Sequence, residues 1–296
     1  MASGRKKTPS GKSPRLHIRE RRIVEKELQN IALLQLDAAI HELKGNNASQ
    51  EAIHRARTSI KKVRAVVQLA APGLSTSNRE HLMGLLRDAA TRLSPLRDAE
   101  VQIQSLDLLE RTDTSGSADL NSLRNGLVDI AKQNRMNTNR RMQRILDYLQ
   151  KSQKSVTVWN LERIRGKDVE RRIRRFYRRG RSSLDLCLAS DDPEVFHLFR
   201  KQVKQLWYAL RITNRFWPDK ASNLIAQLGE IAETAGRERD LILLLSTIRH
   251  GPKNAQASRL TRLLEDQIPK LRKEALNNSV RFFEEKPKAF TAPLSM

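Results

Sequence analysis

The sequence is short of cysteine, aromatic residues and long apolar runs, and each shortage excludes a class of structure. Its single cysteine, Cys187, cannot form an intrachain disulfide or support a zinc site built on cysteine ligands. No stretch approaches about 18 uncharged apolar residues, so we expect no transmembrane helix. Aromatic residues make up 4% of the chain, which is too few for a surface on which nucleic-acid bases stack.

Strand signals and chain-breaking residues are also scarce, which favours an all-α fold. There is no sustained alternation of apolar and polar residues, and the 12 glycines and 10 prolines among 296 residues fall mostly between long segments. Within those segments, apolar residues recur three and four positions apart. This pattern predicts eight helices, near residues 16–44, 48–70, 77–110, 119–150, 158–188, 193–216, 219–249 and 254–284.

Two prolines and the two chain ends depart from the helical pattern. Pro95 and Pro269 fall inside predicted helices, where proline removes a backbone hydrogen bond, so we expect a kink or an interruption at each. Residues 1–14 are predicted to be a disordered basic tail, and residues 286–296 a mobile C-terminal tail. The basic end is also an electrostatic anchor for an anion, because residues 1–22 carry eight Lys or Arg and one Glu.

Positive charge dominates the whole chain and is concentrated in one predicted helix. The 56 Lys and Arg against 33 Asp and Glu give a net charge of +23, which favours a polyanionic partner. Residues 170–180 read ERRIRRFYRRG, with six arginines between Arg171 and Arg179. In a helix, each like-charged pair three or four residues apart costs about 0.2–0.5 kcal/mol. The run is therefore either a solvated face or a surface whose repulsion a bound anion offsets.

An internal repeat organises the most informative residues. Residues 54–64 read HRARTSIKKVR and residues 197–208 read HLFRKQVKQLWY, so each segment begins with His-x-x-Arg and carries Lys four residues later. Further along, residues 93–98 read LSPLRD and residues 235–240 read AGRERD, each ending in Arg-Asp. The first pair of segments is offset by 143 residues and the second pair by 142. Two matches at nearly the same offset predict a duplicated unit of about four helices.

The repeated segments place cations in a row on a helix. At about 100° per residue, His54, Arg57, Lys61 and Arg64 form a stripe about 80° wide and roughly 15 Å long. The second segment repeats the stripe with His197, Arg200 and Lys204, and it is extended by Arg211. A row of like charges is unfavourable alone but matches a ligand whose negative charges repeat.

These patterns resemble the CHAD family, the conserved histidine α-helical domain, over about residues 16–285. The resemblance implies two pseudo-symmetric four-helix bundles that enclose a basic central channel, which in this family binds inorganic polyphosphate. It implies a stand-alone CHAD domain over residues 15–285, with halves near 16–150 and 158–285. Carried over by position, the channel would be lined by His54, Arg57, Lys61, Lys62 and Arg64 from one half and by His197, Arg200, Lys204 and Tyr208 from the other.

Several other arginines are candidates for polyphosphate contacts. An adjacent Arg-Asp pair more often holds helices together than takes part in chemistry, but Arg97 and Arg239 are candidate outer contacts. Arg140, Arg171 and Arg175 complete the set, although periodicity does not determine which arginines of these helices face inward.

The motifs favour a binding protein over an enzyme. The sequence has no nucleophile elbow, zinc-protease helix, phosphate-binding loop or cluster of carboxylates, so we expect no catalytic residue, metal site or cofactor. The expected partner is inorganic polyphosphate, and the expected location is the cytoplasm, on polyphosphate granules. The alternative is a protein that binds nucleic acid without regard to sequence, since +23 attracts any polyanion. The oligomeric state is left open.

Overall fold

The structure is a computed structural model that describes residue 18 and residues 24–44, 49–112, 120–136, 138–161, 164–216, 221–251 and 255–294. Every regular element in these ranges is a helix, which confirms the all-α prediction. The α-helices are α1 (Val24–Leu43), α2 (Gln50–Ala70), α3 (Thr76–Thr112), α4 (Leu120–Met136), α5 (Thr138–Thr157), α6 (Gly166–Ala189), α7 (Pro193–Ile212), α8 (Ala221–His250), α9 (Ala255–Phe282) and α10 (Pro287–Thr291). Short 3₁₀ turns follow α2 and α7, at Ala71–Gly73 and Asn214–Phe216.

Several predicted boundaries differ from those of the structure. The helix predicted over 119–150 is two helices, α4 and α5, and the second continues through residues 151–157. Pro95 and Pro269 do not interrupt α3 and α9, because each costs only local backbone hydrogen bonding while buried neighbours such as Leu96 and Ile268 keep the helix packed. The described part of the first predicted helix begins at Val24. Before it, the amide of Ile18 donates a hydrogen bond to the Ile212 carbonyl at 2.8 Å.

The helix contacts repeat between the two parts of the chain. Helix α2 packs on α1 and α3, and α7 packs in the same way on α6 and α8. Helix α3 also packs on α4 and α5, as α8 does on α9. The two parts meet where equivalent helices touch, α2 against α7 and α3 against α8. The segments that share the sequence repeat therefore lie at the junction of the two parts.

Two apolar cores hold this arrangement together. The larger core takes residues from α1, α2, α3 and α5 and from α6 to α9, so it is continuous across the junction. The smaller core joins the C-terminal portions of α3 and α8 to α4 and α9, with Leu106, Leu244 and Leu264 fully buried. Burial of this apolar surface fixes α2 and α7 next to each other, whatever charges they carry.

The C-terminal segment is packed, contrary to the mobile tail predicted over 286–296. Helix α10 lies against α6, and Phe290 stacks on Tyr177 with ring centroids 3.9 Å apart. The Tyr177 hydroxyl donates to the carbonyls of Phe282, at 3.2 Å, and Glu285, at 3.0 Å. The prediction was wrong because two apolar side chains, Phe290 and Leu294, are enough to dock so short a segment. The tail predicted over residues 1–14 lies outside the described residues.

None of the helices in the described ranges is both long and apolar enough to cross a membrane, as the sequence predicts.

Candidate functional site

Helices α2 and α7 bring cations from both parts of the chain into one cluster. We define the central cluster as Arg57 and Lys61 on α2 with Arg200 and Lys204 on α7. Burial lowers the pKa of Lys61 to about 7, helped by repulsion from Lys204, Arg57 and Arg200. Burial and then repulsion from Arg200 lower the pKa of Lys204 to about 8. Both lysines are therefore partly deprotonated at a pH not far above neutral, mainly because burial disfavours their charged forms.

Water reaches the central cluster although protein surrounds much of it. The Lys61 side chain is exposed to solvent, yet burial by the surrounding protein is the largest cause of its lowered pKa. Exposure and desolvation occur together when a side chain is surrounded by protein on most sides and faces water on the remaining one. Lys204 and Arg200 are half-buried in the same region. An anion could therefore approach these cations directly.

The two equivalent arginines of the cluster are held differently. Nη1 of Arg57 donates to the Ser94 hydroxyl at 2.8 Å and to the Ala90 carbonyl at 3.2 Å, which ties it to α3. In the repeat, Gly236 replaces Ser94, and a Cβ atom there would lie 3.8 Å from Nη2 of Arg200. Arg200 therefore meets a position without a hydroxyl, and its buried Nε has no hydrogen-bond partner within the described ranges. Of the two arginines, Arg200 has more donor capacity left for a ligand.

Two aspartates, one from each repeat, partly balance the cluster. Burial raises the pKa of Asp98, while Arg57, Arg239 and Arg97 act in the opposite direction. Burial also raises the pKa of Asp240, opposed first by Arg200 and then by Arg97. Each aspartate thus interacts with the arginine of the other repeat, Asp98 with Arg239 and Asp240 with Arg97. This reciprocal attraction across α3 and α8 is consistent with the helix-holding role that the sequence favours for Arg-Asp.

The two histidines lie at the edge of the cluster. His54 borders an open cleft of about 710 Å³, with Arg97 and Glu100 also in its wall. Burial, then Arg97 and Lys61, lower the pKa of His54. Burial, then Lys201 and Arg239, lower that of His197, whose buried Nδ1 has no hydrogen-bond partner in the part of the chain that the structure describes. The neutral form is therefore favoured in both until an anion approaches.

A second group of side chains lies between α2 and α7 beside the cluster. Lys62, which the sequence places with the channel row, is only 4% exposed, and Arg211 is the cation that lowers its pKa after burial. It is about 100° around the helix from Lys61, which accounts for its different surroundings. Arg211 lies 4.7 Å above the centre of the Trp207 ring. Tyr208 interacts with both Arg211 and Arg200, so this group adjoins the central cluster.

The remaining predicted residues are not brought into the central cluster. Arg64 is half-buried beside Arg87 of α3, which lowers its pKa after burial does. Arg140 is exposed on α5, and Arg171 is exposed and forms an ion pair with Asp168 at 2.8 Å. Arg175 is exposed on α6, beside Arg172. None of these four is among the charged neighbours given above for Lys61 and Lys204.

Sequence reasoning missed the residues of α3 and α8 that support the cluster. Ser94, whose hydroxyl accepts a hydrogen bond from Arg57, lies three residues before Arg97 in the repeated LSPLRD element. Its position as the small residue of that element is the sequence signal that could have identified it. Arg87, the neighbour of Arg64, belongs to no repeated pattern, so no signal in the sequence pointed to it.

Comparisons with known proteins agree on one family. The model of the CHAD domain family matches residues 30–249. The structure is similar to the crystal structure of the CHAD domain from the plant Ricinus communis, with a TM-score of 0.69 and 18% sequence identity. That match covers 92% of this chain and 95% of the plant chain, and at this identity it shows a shared fold. A comparison with curated proteins finds no match.

Proposed function

The chain belongs to the CHAD domain family, and we propose that it binds inorganic polyphosphate at the central cluster of cations on α2 and α7. The family is known for polyphosphate binding, and the ligand's repeating negative charge fits the rows of cations on the two helices. The bound chain would run past the central cluster, with the His54 cleft on one side and the group around Arg211 on another. Attachment to polyphosphate granules would follow from such binding.

One observation carries the proposal: like charges from two different helices are held together at a solvent-accessible place. Burial is the main cause of the lowered pKa values of Lys61 and Lys204, and neighbouring cations lower them further: Lys204, Arg57 and Arg200 for Lys61, and Arg200 for Lys204. Asp98, Asp240, Glu233 and Glu238 act on these cations, but Glu238 pairs with Arg272 at 2.8 Å, and the two aspartates also interact with arginines outside the cluster. A ligand that supplies several negative charges would remove this repulsion. The free energy of binding therefore favours a polyanion over a ligand with a single charge.

The donor types suit phosphoryl oxygens. The forked guanidinium groups of Arg57 and Arg200 match pairs of phosphate oxygens, and the ammonium groups of Lys61 and Lys204 act as compact charges. A polymer would contact both helices at once, whereas a single phosphate would engage only part of the row.

We propose binding without chemical conversion. Among the described residues, no group of His, Cys, Asp and Glu side chains could hold a metal ion. The charged neighbours of Asp98 and Asp240 are mainly arginines, which suits carboxylates that hold helices together.

The test is a calorimetric titration of long-chain polyphosphate into the wild type and the Lys61→Gln/Lys204→Gln variant. At a pH of about 6.5 both lysines are protonated in the free protein, given pKa values of about 7 and 8. Loss of two charge-assisted contacts of about 1.5–3 kcal/mol each should weaken binding at least about a hundredfold.

The matched control is Lys26→Gln/Lys154→Gln, which removes the same charge from exposed positions on α1 and α5. It should leave the affinity within about twofold of the wild type. Equal losses in the two variants would show that binding follows net charge and would contradict a site between α2 and α7.

A further inference from the structure

A separate group of arginines lies on the outer face of α6, and we define it as the outer arginine cluster: Arg172, Arg175 and Arg179 with Arg79 of α3. On α6 these residues are three, four and seven apart, so they form one stripe along the helix. Repulsion from Arg175, Arg179 and Arg79, acting after burial, lowers the pKa of Arg172 to about 10. Arg175 and Arg179 are exposed to solvent.

The carboxylates at the start of α6 form ion pairs with arginines that do not belong to the outer arginine cluster. Arg171 pairs with Asp168, and Arg174 pairs with Glu170. Glu80, which lies 3.7 Å from Arg79 and is 70% exposed, is the ion-pair partner of the stripe within the described ranges. A single solvated carboxylate offsets little of the repulsion among four arginines. Of the six arginines in this run, Arg171 and Arg174 are thus neutralised by ion pairs, and the repulsion that a bound anion would offset lies in the outer arginine cluster.

Arg172 fixes the position of the stripe relative to α2. Its Nε donates to the Gln68 carbonyl at 2.8 Å and its Nη2 to Gln68 Oε1 at 3.0 Å, while its guanidinium lies 5.1 Å from the centre of the Phe176 ring. Gln68 follows Lys61 by seven residues, two turns of helix and about 10 Å further on the same face. The cationic row of α2 therefore ends against the first arginine of the α6 stripe.

We propose that the outer arginine cluster is an extension of the polyphosphate site, which binds the part of a long chain that emerges beyond the central cluster. This proposal rests on the proposed function above. The row from His54 to Gln68 spans about 21 Å along α2, and the α6 stripe from Arg172 to Arg179 is roughly 10 Å long. The hydrogen bonds of Arg172 to Gln68 place the start of one row beside the end of the other, which favours one polymer over two unrelated ligands. Short chains would occupy the central cluster alone, and long chains would engage both.

The test compares tripolyphosphate with long-chain polyphosphate on the Arg175→Gln/Arg179→Gln variant. Both side chains are exposed and neither anchors the fold, so circular dichroism and thermal unfolding should match the wild type. Affinity for the long chain should fall roughly tenfold, from two exposed charge contacts. Its dependence on salt, as the slope of log K against log salt concentration, should fall by about 1.5–2. Tripolyphosphate affinity should stay within about twofold.

The control variant Arg262→Gln/Lys273→Gln removes equal charge from exposed positions of α9 and should bind both ligands as the wild type does. Equal long-chain affinity in the α6 variant and the wild type would overturn the proposal. The proposal would also be overturned if this variant lost affinity for duplex DNA but not for polyphosphate, because the cluster would then bind nucleic acid. If the wild type bound no long-chain polyphosphate at all, the proposed function itself would fail, a result distinct from a failure of the extension alone.

Discussion

At the scale of single residues, Lys61 and Lys204 carry the energetic argument. Burial, together with repulsion from neighbouring cations, brings their pKa values to about 7 and about 8. A lysine with such a pKa loses part of its charge within the physiological range. A bound phosphate raises the pKa of a neighbouring ammonium group, because it stabilises the charged form. Ligand binding and proton uptake are therefore coupled at these two positions.

This coupling predicts that polyphosphate affinity falls as the pH rises. Above a pH of about 7 the free protein has released protons from Lys61 and then Lys204, and binding must restore them, so each step up in pH costs affinity. Between a pH of about 6.5 and about 9 we expect a loss of roughly tenfold or more, measured by calorimetry in two buffers with different ionisation enthalpies. Those titrations should also report net proton uptake.

The Lys61→Gln/Lys204→Gln variant is the control for this pH profile. Any pH dependence that comes from titration of the polyphosphate itself affects the variant and the wild type alike. The affinity of the variant should be low and should change less than that of the wild type over the same range, because His54 and His197 are the titratable cations of the row that the variant keeps. A wild-type profile parallel to that of the variant would mean that neither lysine titrates on binding.

Residue patterns allowed part of the site to be predicted. Helical spacing put His54, Arg57 and Lys61 in one row, because periodicity determines direction around a helix. It did not reveal that Arg57 is tied to Ser94 while Arg200 faces Gly236, since that difference depends on which residue a neighbouring helix presents. The burial of Lys62 was missed for the same reason.

At the scale of helices, the repeated contacts account for the position of the cations. Helices α2 and α7 carry the same motif and touch each other, and α3 and α8 do likewise. The sequence predicted the helical class and most helices because apolar spacing is a local signal. The docking of α10 depends instead on a partner more than 100 residues away, Tyr177 on α6, which no local pattern reveals.

Docking of α10 predicts a measurable stabilisation by Phe290. Phe290→Ala would remove a side chain that is 5% exposed and stacked on Tyr177, which should lower the free energy of unfolding by about 3 kcal/mol. Chemical denaturation followed by circular dichroism measures this change. The control Lys288→Ala, at an exposed position of the same helix, should change it by less than about 0.5 kcal/mol. Identical curves for the two variants would contradict the docked segment.

At the scale of the whole molecule, two opposing electrostatic patterns meet at the junction of the two parts. Asp98 interacts with Arg239 and Asp240 with Arg97, so α3 and α8 carry opposite charges that face each other across the junction. The cations on α2 and α7 repel each other, but the continuous apolar core keeps them in place. The fold thus maintains a charge arrangement that a polyanion would relieve. Total charge alone, at +23, would attract nucleic acid as well.

The most direct measurement is therefore a competition between long-chain polyphosphate and duplex DNA at equal phosphate concentration. Fluorescently labelled polyphosphate bound to the wild-type protein would be titrated with DNA while its anisotropy is followed. If α2 and α7 form a polyphosphate site, most of the labelled chain stays bound, and DNA displaces it readily only from Lys61→Gln/Lys204→Gln. Displacement from the wild type at equal phosphate concentration would contradict the account and favour a protein that binds nucleic acid through its charge.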